Sequence, residues 1–584
     1  MSAKSDGSGA KGGAWKARDR SSAKAGQAVR QTLGKIGEGR DAASRRIESA
    51  ADLGHAFGNF YLSAMSQPMK AMDRYLAAGQ EMSKSLSGAS EVQPEKDDKR
   101  FGDPVWNSNP GYRSLMQSYL AFSRATYDWV DSLGISERDK LRARFLTGLA
   151  VDAIAPTNFL MGNPTAMKAT LEQGGRNLWK GARQLIRDML ENGGLPSMVD
   201  KSKFAVGENL ARGEGHVVYV EDHLELIQYA PRTDTVLKTP VFIVPPQINK
   251  FYIWDLAPGR SIVEYLLDQG HQVFIVSWRN PTAEQADWGL ASYIKALDRA
   301  SEAACEISGG ARLNVVGACS GGITAALLLS LWGARGDTRA ASLSLLVAIL
   351  DVAGGKDTSM GLFANIETLE LAKLFSRSKG VLGGKDLERA FAWLRPNDLI
   401  WAYWVNNYLL GNEPAAFDIL YWNADTTNLP AALHGDLLRL LQKGGMGHGA
   451  LIVDGHELDP RNVTCDAFLV GGETDHITPW DGCYLTRALL GGESEFILSQ
   501  SGHIQSLINP PGNPKARFLV NDGEHDSAET FLAGARKHEG SWWPTWQGWL
   551  EARSDGRVDG RGKPGSDKHR PICQAPGTYV NEPA

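Results

Sequence analysis

The stretch Gly317-Ala318-Cys319-Ser320-Gly321-Gly322 decides how the rest of the chain is read. It follows an apolar run, Leu313 to Val316, and precedes a helix-forming run, Ile323 to Trp332. Strand, tight turn and helix with G-x-C-x-G at the turn is a nucleophile elbow, with cysteine as the nucleophile. The residue types follow from the geometry. A sharp strand-to-helix turn strains the nucleophile's backbone and lifts its side chain off the sheet. Glycines two before and two after leave room for that backbone. The helix that follows aims its first N–H groups at developing negative charge.

Outward from the elbow, short apolar strands alternate with helices. His216–Val220 and Leu224–Tyr229 predict a hairpin; Val241–Val244, Gln272–Ser277 and Leu343–Leu350 predict buried strands. A helix is expected near Leu290–Ile307, and Thr464–Val470 and Glu495–Leu498 are expected as the last two strands. Such alternation means a mainly parallel sheet covered on both faces. About 110 residues separate Leu350 from Thr464, too many for a structureless loop. They are rich in aromatics (Phe391, Trp393, Trp401, Tyr403, Trp404, Tyr408, Tyr421, Trp422) and predict an inserted helical cap over the site. Most of these aromatics are expected in the cap's core, with some lining an acyl channel.

A nucleophile on such a sheet needs a carboxylate after a late strand and a histidine after the last one. Asp475 follows the Thr464–Val470 strand and His503 follows the strand ending near Ser499. His476 is a rival base and Asp351 a rival acid. The pattern is that of an α/β-hydrolase fold. In it His503 takes the proton of Cys319 and Asp475 holds the imidazole in the right tautomer. A free thiol has pKa ~8.5, which a neighbouring histidine and a helix N-terminus lower. A thiolate exchanges thioesters readily, and water attacks the resulting acyl-thioester slowly. Cysteine in place of serine therefore favours acyl transfer over hydrolysis. Dienelactone hydrolases also use a cysteine elbow, so a hydrolase or depolymerase acting on lipophilic esters stays open.

Upstream, helices are expected over about 41–88, Tyr112–Leu133, Ser136 to about Ile154, and Pro164–Glu191. The expected organisation is a disordered basic leader (1–40), a helical N-terminal domain (41–200), a catalytic domain (201–550) with a cap at about 352–460, and a polar C-terminal tail (551–584). Residues 1–50 carry 11 Lys/Arg against 5 Asp/Glu. At 584 residues the chain exceeds one ordinary domain. A net charge of −5 gives no ground for a nucleic-acid partner. Five cysteines without CxxC or Cys/His ligand spacing argue against a disulfide framework or structural zinc. No signal-peptide core and no apolar run near the ~20 residues of a membrane span is present, so the expected location is the cytosol, or a surface reached from the cytosolic side.

With these residues in place, the chain resembles the polyhydroxyalkanoate synthases, and within them the class II enzymes that prefer medium-chain-length monomers. The resemblance covers about residues 98–550. It rests on Arg100–Trp106, Pro245–Tyr252, Ser277–Pro281, Gly317–Gly322, Arg395–Trp401, Tyr403–Tyr408, Asp475–Trp480 and Ser501–Gln505. It implies polymerisation of (R)-3-hydroxyacyl-CoA into an intracellular polyester with release of CoA, through an acyl-Cys319 intermediate. No cofactor is implied, the CoA thioester being the substrate. It implies His503 as general base and Asp475 as its partner or as an assistant to the 3-hydroxyl. Backbone N–H groups of Ser320 and Ile253 are implied as oxyanion donors. Ala348, Ser501 and Gln505 fall where monomer size is tuned, and Asp255 matches a family aspartate without a derived role. Ala348 departs from the serine expected in class II. Ala318 favours class II, since class I enzymes tend to carry an aromatic there. A homodimer at the granule surface, with granule-associated proteins as further partners, completes the implication. A catalytically idle granule-coat protein is the reading from another class, and the intact triad speaks against it.

Overall fold

A computed structural model describes residues 67–584, apart from 97, 351–365, 443–445, 447–450, 524–526 and 561. The expected basic leader, the helical reading of 41–66 and the rival acid Asp351 lie outside the described residues.

The N-terminal layer is helical. Helix α1 (Pro68–Ser87) ends at Gly88, whose φ of 78° closes the last turn. Next come α2 (Pro110–Asp131) and α3 (Glu137–Ala153), the latter capped by the Ser136 hydroxyl on the Asp139 N–H. The single helix expected over Pro164–Glu191 is two, α4 (Pro164–Glu172) and α5 (Arg176–Glu191). Gly174 and Gly175, at φ 57° and 81°, break it, because two successive left-handed residues cannot continue a right-handed helix.

Among the described residues eleven strands form the central sheet, numbered in chain order. They are β1 (Gly215–Glu221), β2 (Leu224–Tyr229), β3 (Val241–Val244), β4 (Val273–Trp278), β5 (Leu313–Ala318) and β6 (Ala340–Leu346). After the cap come β7 (Ala467–Gly472), β8 (Ser494–Ser499), β9 (Arg517–Val520), β10 (Arg536–Glu539) and β11 (Cys573–Gln574). Their spatial order is β10-β9-β8-β7-β6-β5-β3-β4-β2-β1-β11. From β4 to β8 all neighbours are parallel, and the outer strands on both sides are antiparallel. The α/β-hydrolase expectation is met.

Alternation along the buried strands splits the core in two. Phe242, Val244, Phe274, Val276, Leu313 and Val315 point to the face covered by α6 (Leu290–Ser308) and α7 (Cys319–Arg335). Val241, Ile243, Val273, Ile275 and Val316 point to the other face, closed by Trp542, Trp543 and Trp546. Trp546 is fully buried and donates its indole N–H to Ser344 Oγ at 2.9 Å.

Three expectations need correction. The strand after α7 stops at Leu346 rather than Leu350, because Val347 turns to φ 45°. Strand β8 is not the last: β9 and β10 extend the sheet beyond it. Arg536–Glu539 is fully exposed and polar on both faces, so it has no apolar alternation to read. The segment 551–584 does not hang as a polar tail. Its Cys573–Gln574 pairs with β1, Arg557–Asp559 pairs with Thr235–Leu237, and Tyr579 and Val580 are buried.

The cap includes α8 (Ile366–Lys379), α9 (Gly384–Leu394), α10 (Asp418–Asn423) and α11 (Ala431–Gln442). Two π-helical turns, Asn397–Trp401 and Val405–Leu409, lie between α9 and α10. The second docks on the N-terminal layer. Asn177 donates to Leu409 O at 2.7 Å, and Tyr408 donates its hydroxyl to Asp188 at 2.7 Å.

Candidate active site

Cys319 stands at the junction of β5 and α7 with φ at 50°, the left-handed backbone a nucleophile elbow imposes. The flanking glycines are required by contact. A Cβ on Gly317 would meet Gly322 Cα at 2.7 Å, and one on Gly321 would meet Val244 O at 2.3 Å. Ser320 fastens the neighbouring loop: its hydroxyl accepts from Gln247 N at 3.3 Å.

His503 opens the short helix α12 (His503–Leu507) after β8, and Asp475 sits in the loop after β7. Parallel pairing of β7 and β8 brings the two loops together. His503 Nδ1 lies 2.6 Å from Asp475 Oδ2. Asp475 Oδ1 accepts from Ile477 N at 2.8 Å and Thr478 N at 3.1 Å, and Oδ2 accepts the Thr478 hydroxyl at 2.7 Å. Burial works against charge on both partners, and their mutual attraction wins. His503 is pushed up to about 10 by its hydrogen bond to Asp475 and by the nearby Cys319. Asp475 is held below the usual carboxylate range by His503 and Thr478. The rival base, His476, lines the cavity without joining this chain of bonds. Burial, then the charge of Arg395, lowers its affinity for a proton. Burial also drives up three other cysteine thiols, Cys305 to about 11, Cys465 to about 12, and Cys483.

Cys319 and His503 form part of the floor of a cavity of about 420 Å³. Its walls are largely apolar: Leu387, Phe391, Leu399, Phe417, Leu420 and Trp422 come from the cap. Of the eight cap aromatics singled out in the sequence, Phe391 and Trp422 line this cavity. Others join cap to N-terminal layer, as Tyr408 does and as Trp404 does through its indole N–H on Asn158 O at 3.1 Å.

The remaining candidates divide. Gln505 lines the cavity. Ser501 lies behind it, its hydroxyl against those of Ser499 and Ser506 at 2.8 and 3.0 Å. Ala348 is buried beneath the elbow, where a Cβ on Gly322 would meet its own at 2.6 Å. Asp255 is a loop anchor, accepting from Gly213 N at 2.8 Å, Ser261 Oγ at 2.9 Å and the Tyr229 hydroxyl at 3.4 Å. Ile253 reaches the cavity, but within the 3₁₀ turn Phe251–Trp254. There an N–H is turned back on the carbonyl three residues before. Ile248, in the loop that Ser320 holds, lines the cavity too. The sequence reading missed it, as it missed Thr478.

Residues 97–266 match the family profile described as the Poly-beta-hydroxybutyrate polymerase (PhaC) N-terminus, and residues 240–510 match the alpha/beta hydrolase fold. Poly(3-hydroxyalkanoate) polymerase 1 of Ectopseudomonas oleovorans is 46% identical over 89% of this chain and 92% of its own. The chain belongs to the poly(3-hydroxyalkanoate) polymerase family. Polymerase 2 of the same organism is 46% identical over 91% of this chain and 94% of its own. The Poly(3-hydroxyalkanoate) polymerase subunit PhaC of Cupriavidus necator is 39% identical over 85% of each chain. As a family member the chain is an acyltransferase that builds a polyester from hydroxyalkanoate units. Among the described residues, no helix is long and apolar enough to cross a membrane.

Proposed function

We propose that the chain polymerises (R)-3-hydroxyacyl-CoA, of medium chain length, into polyester with release of CoA, through a thioester on Cys319. The observation that carries the proposal is His503, 2.6 Å from Asp475 and sharing the floor of an apolar cavity with Cys319. His503 Nδ1 is committed to Asp475, so Nε2 takes the Cys319 proton. The thiolate attacks the thioester carbonyl. The oxyanion gathers at the N–H of Ser320, in the first turn of α7, and that of Ile248. That attack forms the bond from Cys319 sulfur to the acyl carbon; collapse breaks the carbonyl–sulfur bond to CoA, whose thiolate takes the proton from His503. A 3-hydroxyl then gives its proton to His503 and attacks the acyl-Cys319, forming the ester and restoring the thiolate. The apolar cap walls keep water from that thioester and suit an aliphatic acyl chain. The enzyme works as a homodimer at the surface of cytoplasmic polyester granules, where granule-associated proteins are further partners.

The test is purified enzyme with (R)-3-hydroxydecanoyl-CoA. CoA release with high-mass polyester supports the proposal. Free hydroxy acid as sole product overturns it in favour of a hydrolase. Turnover undiminished in Cys319→Ala overturns the covalent route.

A further inference from the structure

Helix α5 is built inside out. Its buried residues are Asn177, Gly181, Gln184 and Asp188. Three of these are polar, and the fold uses all three against the cap and its approach. Asn177 donates to Leu409 O at 2.7 Å, Gln184 donates to Asn412 O at 3.1 Å, and Asp188 accepts from Tyr408 and Ser197. Gly181 backs onto Tyr408, where a Cβ would meet its carbonyl oxygen at 2.0 Å. At 3.6 residues per turn these four share one side of the helix.

The opposite side is apolar and faces out. Trp179 is 71% exposed, Ile186 59%, Met189 61% and Leu190 82%. Along one edge of this face Arg176, Lys180, Arg183 and Arg187 form a cationic stripe. The side chains of Arg176, Lys180 and Arg183 make no ion pair or hydrogen bond among the described residues. Glu172 precedes the helix and Glu191 ends it, so the stripe stays net positive. A contiguous apolar face on a monomer's surface marks a contact. An apolar face edged by Lys and Arg is the pattern of a helix lying in the plane of an anionic lipid interface. Its side chains enter the acyl boundary and its cations meet the headgroups. A polypeptide partner would need carboxylates matched to each cation. A lipid surface needs only net negative charge, which suits a stripe without fixed partners.

We infer that the outer face of α5 docks this enzyme on an anionic lipid surface. The proposal deepens the surface-bound reading above and rests on it. Because the helix's inner side is bolted to the cap at Tyr408–Asn412, docking sets the cap beside the interface. There an apolar product would accumulate.

The experiment is co-sedimentation of the full-length enzyme with vesicles of equimolar phosphatidylglycerol and phosphatidylcholine, against pure phosphatidylcholine. Oligomeric state is followed in parallel. The wild type should bind the anionic vesicles more strongly, and high salt should weaken that binding. Lys180→Glu with Arg183→Glu, and separately Trp179→Glu with Leu190→Glu, should each lower partitioning at least ~10-fold. CoA release from soluble substrate should be retained in both, which reports an intact fold. Equal binding to both vesicle types overturns the proposal. So does unchanged binding in both double variants, or variants that alter only the oligomeric state. Vesicle binding needs no turnover and is measured equally on Cys319→Ala, so failure of the surface and failure of the polymerase reading are distinguished.

Discussion

Thr478 and His503 converge on one oxygen of Asp475, at 2.7 and 2.6 Å. The Thr478 hydroxyl also lies 3.1 Å from His503 Nδ1. It thus holds the carboxylate in the orientation that receives the imidazole. Thr478→Val removes one hydrogen bond to a charged acceptor, a loss of about 1.5–3 kcal/mol. The expected result is a fall in kcat of roughly 10-fold or more with KM little changed, restored by Thr478→Ser. A KM change alone would refute the positioning role.

Asp475→Asn keeps the shape of that site and removes its charge. His503 then loses the largest influence raising its affinity for a proton. Turnover should drop by about 10²–10⁴-fold, and the acid limb of the pH–rate profile should move to lower pH. Both are read from CoA release across pH.

The same interaction reaches stability. His503 titrates near 6.5 when unfolded and near 10 when folded. Between those values the folded state binds the extra proton, so stability falls as pH rises through the window. Asp475 acts oppositely: its contribution is present above the ordinary carboxylate pKa and is lost as pH falls through its lowered value. Thermal melts of wild type and His503→Gln should therefore differ most near pH 6.5 and converge toward pH 10. A constant difference would show that the imidazole's charge does not contribute.

Legibility in the sequence followed what each residue must face. Val241–Val244 and Leu313–Ala318 are buried on both faces, so uninterrupted apolar runs announced them. The order of Cys319, Asp475 and His503 along the chain then located three strand ends. Arg536–Glu539 gave no signal, since an exposed edge strand needs no apolar side. Helix α5 hid its inward side: Asn177 and Gln184 are polar there because they meet backbone carbonyls of the cap segment, and periodicity does not reveal what lies across an interface. Thr478 and Ile248 were hidden for the same reason, their roles being set by loops that meet only in three dimensions. The cap aromatics were visible as a group, but their division between cavity and N-terminal contact depends on the π-helical turns.

The cavity wall offers a specificity test. Leu420 and Phe391 both face the space above Cys319. Leu420→Trp narrows it, and each methylene denied burial costs about 1–3 kcal/mol. The kcat/KM for (R)-3-hydroxydecanoyl-CoA should fall at least ~10-fold relative to the 3-hydroxybutyryl thioester. Phe391→Ala should shift monomer composition toward longer units. Preferences unchanged in both variants would remove this cavity from substrate selection.

The last turn of the C-terminal segment is anchored on a buried carboxylate. Glu225, 2% exposed on β2, accepts from Thr578 N at 2.9 Å, Thr578 Oγ1 at 2.5 Å and Tyr579 N at 3.0 Å. Beyond it, Glu582 accepts from Asn280 N at 3.0 Å, and its carbonyl takes the Lys250 ammonium at 2.6 Å. Lys250 and Asn280 in turn carry the base of the cap: Lys250 O accepts the Trp422 indole N–H at 2.7 Å, and Asn280 Oδ1 accepts Asn428 N at 2.8 Å. Glu225→Ala leaves buried donors unpaired, a loss of about 2–4 kcal/mol. The segment after Gly577 should become open to proteolysis, and the melting temperature should drop. Because Trp422 lines the cavity, kcat/KM for medium-chain substrates should fall in the enzyme that remains folded. Glu225→Gln, which keeps an acceptor but lacks charge, should fall between the two. A released C-terminus with unaltered kcat/KM would show that the strap braces the sheet without bracing the cap.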